Sequence, residues 1–177
     1  MNASGKVLLI TGPPGVGKTT VMMKVAASLA GFRIAGFYTE EIRVNGARLG
    51  FELVTFDGKR RVLAHVDSTS APRVGKYGVE VGAIGTAVGT ILEEKGSADV
   101  FLIDEIGRME CLSDLFVAGV TSLLESAKPV VATVALKGGG FIAEVKQRQG
   151  VVLWEISKRN RNEMPARVIS WLQQRVS

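Results

Sequence analysis

Cysteine and histidine are nearly missing from this sequence, with one of each, Cys111 and His65, among 177 residues. A lone thiol forms no intramolecular disulfide, and one thiol with one imidazole falls short of the four ligands that a structural zinc takes. The same scarcity argues against a Ser-His-Asp hydrolase: no serine occupies a nucleophile elbow, and His65 reads as a surface residue of a hairpin-like strand. Aromatic residues contribute only 6% of the chain. No basic run is interleaved with them, so a base-stacking platform is not visible and a nucleic-acid partner has no motif behind it. Long apolar stretches are lacking too. Val7-Leu8-Leu9-Ile10 and Val100-Phe101-Leu102-Ile103 fall far below the ~20 residues that cross a bilayer. The first of them runs into Thr11-Gly12-Pro13-Pro14, which does not resemble a signal-peptide cleavage site. A cytoplasmic protein without a membrane partner is expected.

The composition is otherwise that of a globular domain, 46% apolar and 22% charged, and one domain over residues 1–177 is expected from the length. Lys and Arg exceed Asp and Glu by 22 to 17, a surplus of +5 that suits anionic small ligands and nucleic acid alike. Glycine is plentiful at 21 residues, which points to tight turns and close backbone approach to a ligand.

Hydrophobic periodicity predicts a strand over residues 6–11, a glycine loop, and a helix over 18–30 through Val21, Met22, Val25, Ala26 and Leu29. Three strand-like runs follow, over 34–43, 48–56 and 60–66, joined by the hairpin signals Asn45-Gly46 and Asp57-Gly58. They form an antiparallel meander, about residues 33–66, inserted after the first helix. A linker rich in Ser, Gly, Pro and Lys over 67–81 leads to a helix over 84–94. Strands over 100–104, 129–133 and 151–156 then alternate with helices over 112–126, 141–147 and 165–175, the pattern of a parallel sheet flanked by helices. The expected fold is α/β, doubly wound.

The segment Gly12-Pro13-Pro14-Gly15-Val16-Gly17-Lys18-Thr19 fits G-x-x-x-x-G-K-[ST] at every fixed position, and Thr20 follows it. Its placement between a strand and a helix is the context this phosphate-binding motif requires. The backbone must curl so that successive N–H groups point at phosphate oxygens, and Gly15 and Gly17 permit it. The helix N-terminus adds its dipole, Lys18 can reach the β- and γ-phosphates, and the Thr19 hydroxyl suits Mg²⁺. A second element, Asp104-Glu105, ends an apolar strand at the carboxyl edge of the sheet, where ligand crevices form. Asp104 is the expected second Mg²⁺ contact and Glu105 the residue that polarises the attacking water. Asp104-Glu105-Ile106-Gly107 also matches the D-x-x-G element of small GTPases. A GTPase further needs N-K-x-D to read guanine, and the nearest stretch, Asn160-Arg161-Asn162-Glu163, has neither the lysine nor the aspartate. The additional-strand class of P-loop enzymes, with a glutamate beside the aspartate, is the better match.

Thr11 to Thr20, Gly36-Phe37-Tyr38-Thr39-Glu40-Glu41, Gly50-Phe51, Val74-Gly75-Lys76-Tyr77, Ile103 to Glu110 and Asn160-Arg161 together resemble the thermophile-type nucleoside-triphosphatase family, which includes cancer-related nucleoside-triphosphatases. The resemblance spans nearly the whole chain. It implies a Mg²⁺-dependent enzyme with a RecA-like or AAA-like core that hydrolyses ATP, GTP, CTP and UTP with broad base tolerance. Under it, the nucleotide-binding segments fall on Gly12, Pro13, Pro14, Gly15, Val16, Gly17, Lys18 and Thr19, and on Phe101, Leu102, Ile103, Asp104, Glu105, Ile106, Gly107 and Arg108. Arg108 stands where lysine is common, and Ser157 where threonine is common.

Further candidates come from the residues themselves. Arg108, four positions beyond Asp104, can place positive charge near a γ-phosphate or remain a solvated loop arginine. Arg148 and the cluster Lys158, Arg159 and Arg161 are weaker choices for that charge, or a basic rim. Thr133, at the end of a predicted strand, is either a sensor of the attacking water or a turn former. Glu40 and Glu41, with Tyr38, Lys76 and Tyr77, either line the nucleotide side of the sheet or face a partner, or form an exposed strand edge that resists pairing with another chain, the last being the better reading. The alternatives to hydrolysis are a nucleotide or small-molecule kinase, for which no arginine-rich lid is visible, and a nucleotide-gated nucleic-acid-binding protein. A monomer is expected.

Overall fold

Continuous apolar runs build the middle of the molecule. In the computed structural model, which describes residues 5–176, the strands β1 (Val7–Gly12), β7 (Val100–Ile106) and β8 (Val130–Ala135) are buried along almost their entire length. Strands covered on both faces have no solvent side to alternate with, hence their unbroken Val, Leu and Ile. With β2 (Ile34–Val44) and β9 (Val151–Glu155) they form a parallel half-sheet in the order β2-β7-β8-β1-β9.

The other half is antiparallel and continues from β2 through β3 (Ala47–Thr55), β4 (Arg60–His65), β6 (Tyr77–Val79) and β5 (Arg73–Val74). β2 is the seam between them. Its first residues pair with β7, and from Phe37 onward it pairs with β3. Asn45, with φ 48°, and Gly46 turn the chain between β2 and β3, as the hairpin signal predicts. The β5–β6 hairpin falls inside the stretch expected to be a linker. Strands of two and three residues are too short to carry a readable alternation.

Helices cover both faces, as a doubly wound sheet requires. On one side α1 (Lys18–Ser28) and α5 (Met164–Gln173) bury Met22, Val25, Val168 and Leu172 against Leu8, Ile10, Leu102 and Val131 of the sheet. On the other, α2 (Val81–Glu93), α3 (Asp114–Leu124) and α4 (Phe141–Gln147) bury Ile84, Val88, Phe116, Val120 and Ile142 against Leu9, Phe37, Phe101 and Ile103. Alternate residues of β1 and β7 thus serve opposite cores. α3 starts where the Ser113 hydroxyl accepts the Phe116 N–H, with Asp114 in the first turn; Pro165 sits at the start of α5.

Two expectations need correction and a third is sharpened. Glu40 and Glu41 are exposed and pair only with β3, past Phe37 where the β2–β7 pairing stops. They are held in ion pairs, Glu40 with Arg60 and Glu41 with Arg43 and Arg48. β8 runs two residues beyond Thr133, placing that threonine within the strand with no exposed surface. Arg148 pairs with Glu125 just beyond α3, which commits its charge elsewhere.

Candidate active site

The strand order sets the site. β8 lies between β1, which leads into the glycine loop, and β7, which ends in the acidic pair. One inserted strand thus separates the loop strand from the acidic strand, and the carboxyl ends of all three open on one crevice.

The glycine loop runs from the end of β1 to Gly17, the N-cap of α1. Gly15 and Gly17 both take positive φ, 75° and 111°, which turns the loop around its own amides. No acidic residue occupies the first turn of α1, so its N-terminal dipole faces the loop uncompensated. Lys18 folds back over the loop, its Nζ donating to the Gly12 carbonyl at 2.9 Å and to Pro13 at 3.3 Å. The same ammonium stands 3.9 Å from Glu105 Oε2. Thr19, the next residue, donates its hydroxyl to Asp104 Oδ2 at 2.6 Å across a separation of 85 residues.

Asp104 is the most enclosed acid of the group, 1% exposed. Thr133 donates to its other oxygen at 2.6 Å, so the threonine on the inserted strand holds the aspartate rather than standing free at a strand end. Burial pushes the Asp104 carboxyl above its ordinary range, and the hydroxyls of Thr133 and Thr19, the Thr39 main chain and the Lys18 charge pull it back. Glu105 is likewise pushed up by burial, with Lys18 opposing and Asp104 adding to the rise. The Asp104–Glu105 peptide is cis.

Two features escaped the sequence reading. Glu110, at the head of a 3-10 turn over Glu110–Leu112, is buried against the same turn as Glu105 and is pushed up to about 8, first by burial and then by the Glu105 charge. Its sequence signal is weak, because one glutamate after Met109 reads as a polar loop residue. The second feature is a cleft beside the glycine loop, formed by Val16, Thr20 and Lys24 on one side and Arg161, Asn162 and Pro165 on the other. The Arg161 guanidinium reaches the Val16 carbonyl at 3.5 Å. Asn160 shapes that connection by accepting the Ser157 N–H at 2.8 Å and donating to the Glu155 carbonyl at 2.9 Å. The basic stretch after Ser157 is therefore divided: Arg161 joins the cleft, while Lys158 and Arg159 face solvent. Arg108 is exposed in the turn after β7 and forms no ion pair among the described residues. Burial, with the charges of Glu110 and Glu105, pushes the Cys111 thiol up to about 12.

A glycine loop capped by lysine and threonine, an inserted strand and an Asp-Glu pair at the neighbouring strand end define a P-loop nucleotide-binding fold. Residues 7–169 match the NTPase family, NTPase_1, and the chain belongs to it. Nucleoside-triphosphatase THEP1 of Thermotoga sp. (strain RQ2) is 41% identical over 170 residues, covering 94% of this chain and 95% of that protein. The crystal structure of THEP1 from Aquifex aeolicus superposes with a TM-score of 0.85 at 35% identity, covering 94% of this chain and 99% of that one. The solution structure of a human cancer-related nucleoside triphosphatase gives a TM-score of 0.78 at 34% identity, over 94% and 97% of the two chains.

Proposed function

We propose that this protein hydrolyses nucleoside 5′-triphosphates to nucleoside diphosphate and phosphate, with Mg²⁺ and with little preference among bases. The observation that carries this reading is the joining of two motifs 85 residues apart: the Thr19 hydroxyl on the Asp104 carboxylate at 2.6 Å, with Lys18 Nζ 3.9 Å from Glu105. The relatives are named nucleoside-triphosphatases, which agrees with it.

The amides of residues 13–19 and the α1 dipole bind the polyphosphate, and Lys18 neutralises charge on its β–γ end. Thr19 and Asp104 offer hard oxygen donors on adjoining atoms, the chemistry that Mg²⁺ takes. No group of three or more His, Cys, Asp or Glu side chains is gathered for a metal among the described residues, which suits an ion held by one carboxylate, one hydroxyl, water and substrate phosphates. When bound, Mg²⁺ offsets charge on the phosphate oxygens. Glu105 orients a water for in-line attack and accepts its proton as the new oxygen–phosphorus bond forms and the β–γ bridging bond breaks, leaving the diphosphate. Partial desolvation suits this carboxylate to the task, because its raised proton affinity makes it a stronger base.

Base tolerance is supported by the cleft. Its walls are aliphatic Val16, Val21 and Pro165, the Lys24 stem, the Thr20 hydroxyl and the flexible polar ends of Arg161 and Asn162. Selective reading of a base edge needs a fixed set of donors and acceptors. A planar base of any kind can lie against this lining.

The test is phosphate release from ATP, GTP, CTP and UTP with and without Mg²⁺, in the wild type and Glu105→Gln. Release from all four, together with unchanged binding and roughly a 10²-fold or greater fall in kcat in the variant, is the expected result. Equal kcat in the two proteins, or consumption of triphosphate only when an acceptor is added, would overturn it.

A further inference from the structure

Behind the reactive carboxylate lies a second one that the proposed chemistry does not use. β7 ends at Ile106, the chain turns through Gly107, Arg108 and Met109, and Glu110 opens the 3-10 turn that leads to α3. The Glu110 side chain goes inward rather than out to solvent and is 5% exposed. Its oxygen and that of Glu105 converge on the same side of Gly107. A methyl group on Gly107 would stand 2.8 Å from Glu110 Oε2 and 2.9 Å from Glu105 Oε1. The two oxygens therefore lie within about 6 Å of each other, where a second negative charge is costly, and no cation is paired with Glu110 among the described residues.

The groups facing Glu110 can be named element by element. β7 presents Glu105 and Asp104, and both disfavour a second charge. α2 packs on the turn and has no ionisable side chain before Glu93 at its far end. α3 contributes Asp114 at its first position, another acid. Within the turn itself Cys111 holds its proton. Lys18 pairs with Glu105, and no lysine or arginine forms an ion pair with Glu110 among the described residues. The amides of Glu110 and Gly107 favour its ionisation, and they are outweighed by burial and by Glu105.

We propose that Glu110 is a positioning residue for the hydrolytic centre: it stands as the neutral acid and donates its proton in a hydrogen bond to the Glu105 carboxylate, holding that group toward the attacking water. The inference rests on the hydrolase reading above. A neutral donor at this place does what a second carboxylate would undo: it removes one lone pair of Glu105 from competition, so that the free oxygen faces the crevice. The Lys18 contact fixes Glu105 from the opposite side. Glu110 touches neither substrate nor metal in this arrangement, and its effect passes entirely through Glu105.

The experiment compares wild type, Glu110→Gln and Glu110→Ala in steady-state phosphate release with MgATP between pH 6 and pH 9.5, alongside titration of the Glu110 carboxyl by ¹³C NMR in the full chain. Glutamine keeps a donor and the side-chain volume but has no proton to lose, so its kcat at neutral pH is expected within about threefold of wild type. The wild-type kcat should fall through about pH 8 as Glu110 ionises, and this alkaline limb should vanish in the glutamine variant. Alanine should lower kcat by about tenfold or more with KM changed less than about twofold, because ground-state binding does not pass through Glu105. If alanine fails to fold, the glutamine profile decides alone. An identical alkaline limb in wild type and Glu110→Gln, or a Glu110 carboxyl that titrates near the ordinary value of about 4, would overturn the positioning role. A wild type that releases no phosphate would instead sink the hydrolase reading, and the NMR titration separates the two failures.

Discussion

An acid buried without a cation makes folding depend on pH in the direction opposite to a salt-bridged one. Glu110 binds its proton up to about pH 8 when folded, against an ordinary value of 4.5. Between those limits the folded chain holds more protons than the unfolded chain, so this residue's contribution is complete below pH 4.5 and is lost as pH rises toward 8. Glu110→Gln abolishes that dependence. Its melting temperature relative to wild type should climb between pH 5 and pH 9 by on the order of 5–10 °C, read by thermal denaturation monitored with circular dichroism. A constant difference across that range would mean that Glu110 is ionised in the folded protein. At this scale the sequence was informative where a residue belongs to a spaced motif. Lys18, Thr19, Asp104 and Glu105 were legible because strand, loop and helix signals surround them, and the structure brings them together. Glu110 was not, since its significance comes from facing Glu105 across a turn, a contact that no spacing rule encodes. Thr133 was noticed, but its partner, Asp104, is visible only when two parallel strands are laid side by side.

β2 carries the largest structural responsibility of any one element, because it ends the parallel half of the sheet and begins the antiparallel half. At the junction Gly36 lies against β7 so closely that a Cβ would stand 1.8 Å from the Leu102 carbonyl oxygen, at a φ of 132° that side chains rarely adopt. Gly36→Ala should therefore destabilise the fold by roughly 3 kcal/mol or more, through both the overlap and the backbone strain. Urea unfolding gives that number directly, and a loss under 1 kcal/mol would show that the two strands separate without cost. Long elements were the readable ones. The helices and the buried strands were foreseen to within a few residues because their patterns extend over several turns or half a dozen apolar positions. The β5–β6 hairpin was hidden because its pairing is fixed by β4 beside it and not by any pattern of its own. The ion pairs of Glu40 and Glu41 were hidden for a related reason: Arg60 and Arg48 are brought to them by the pairing of neighbouring strands and not by spacing along the chain.

The whole molecule has two cores, one on each face of the sheet, and the glycine loop joins them, since α1 belongs to one and the Asp104 strand feeds both. Ligand binding to such a loop stabilises everything attached to it. MgATP at about 100 times its Kd should add ~2.7 kcal/mol to the folded state, raising the melting temperature by roughly 5–10 °C. Lys18→Ala should abolish most of the shift while leaving the unliganded melting temperature nearly unchanged, because its ammonium bonds only loop carbonyls and Glu105. A full shift in the variant would mean that the nucleotide binds elsewhere. Five arginines, at positions 33, 43, 48, 60 and 148, are paired with acids. No helix among the described residues is long and apolar enough to cross a membrane.

The division of labour along β2 also marks where the molecule can be handled. Its Phe37 end is locked between β7 and β3, while the strand runs on to Asn45-Gly46, where Gly46 has open space around it. That tip is a natural port for a fluorophore, a purification handle or an immobilising linker, six residues beyond Thr39, whose main chain meets the Asp104 carboxyl.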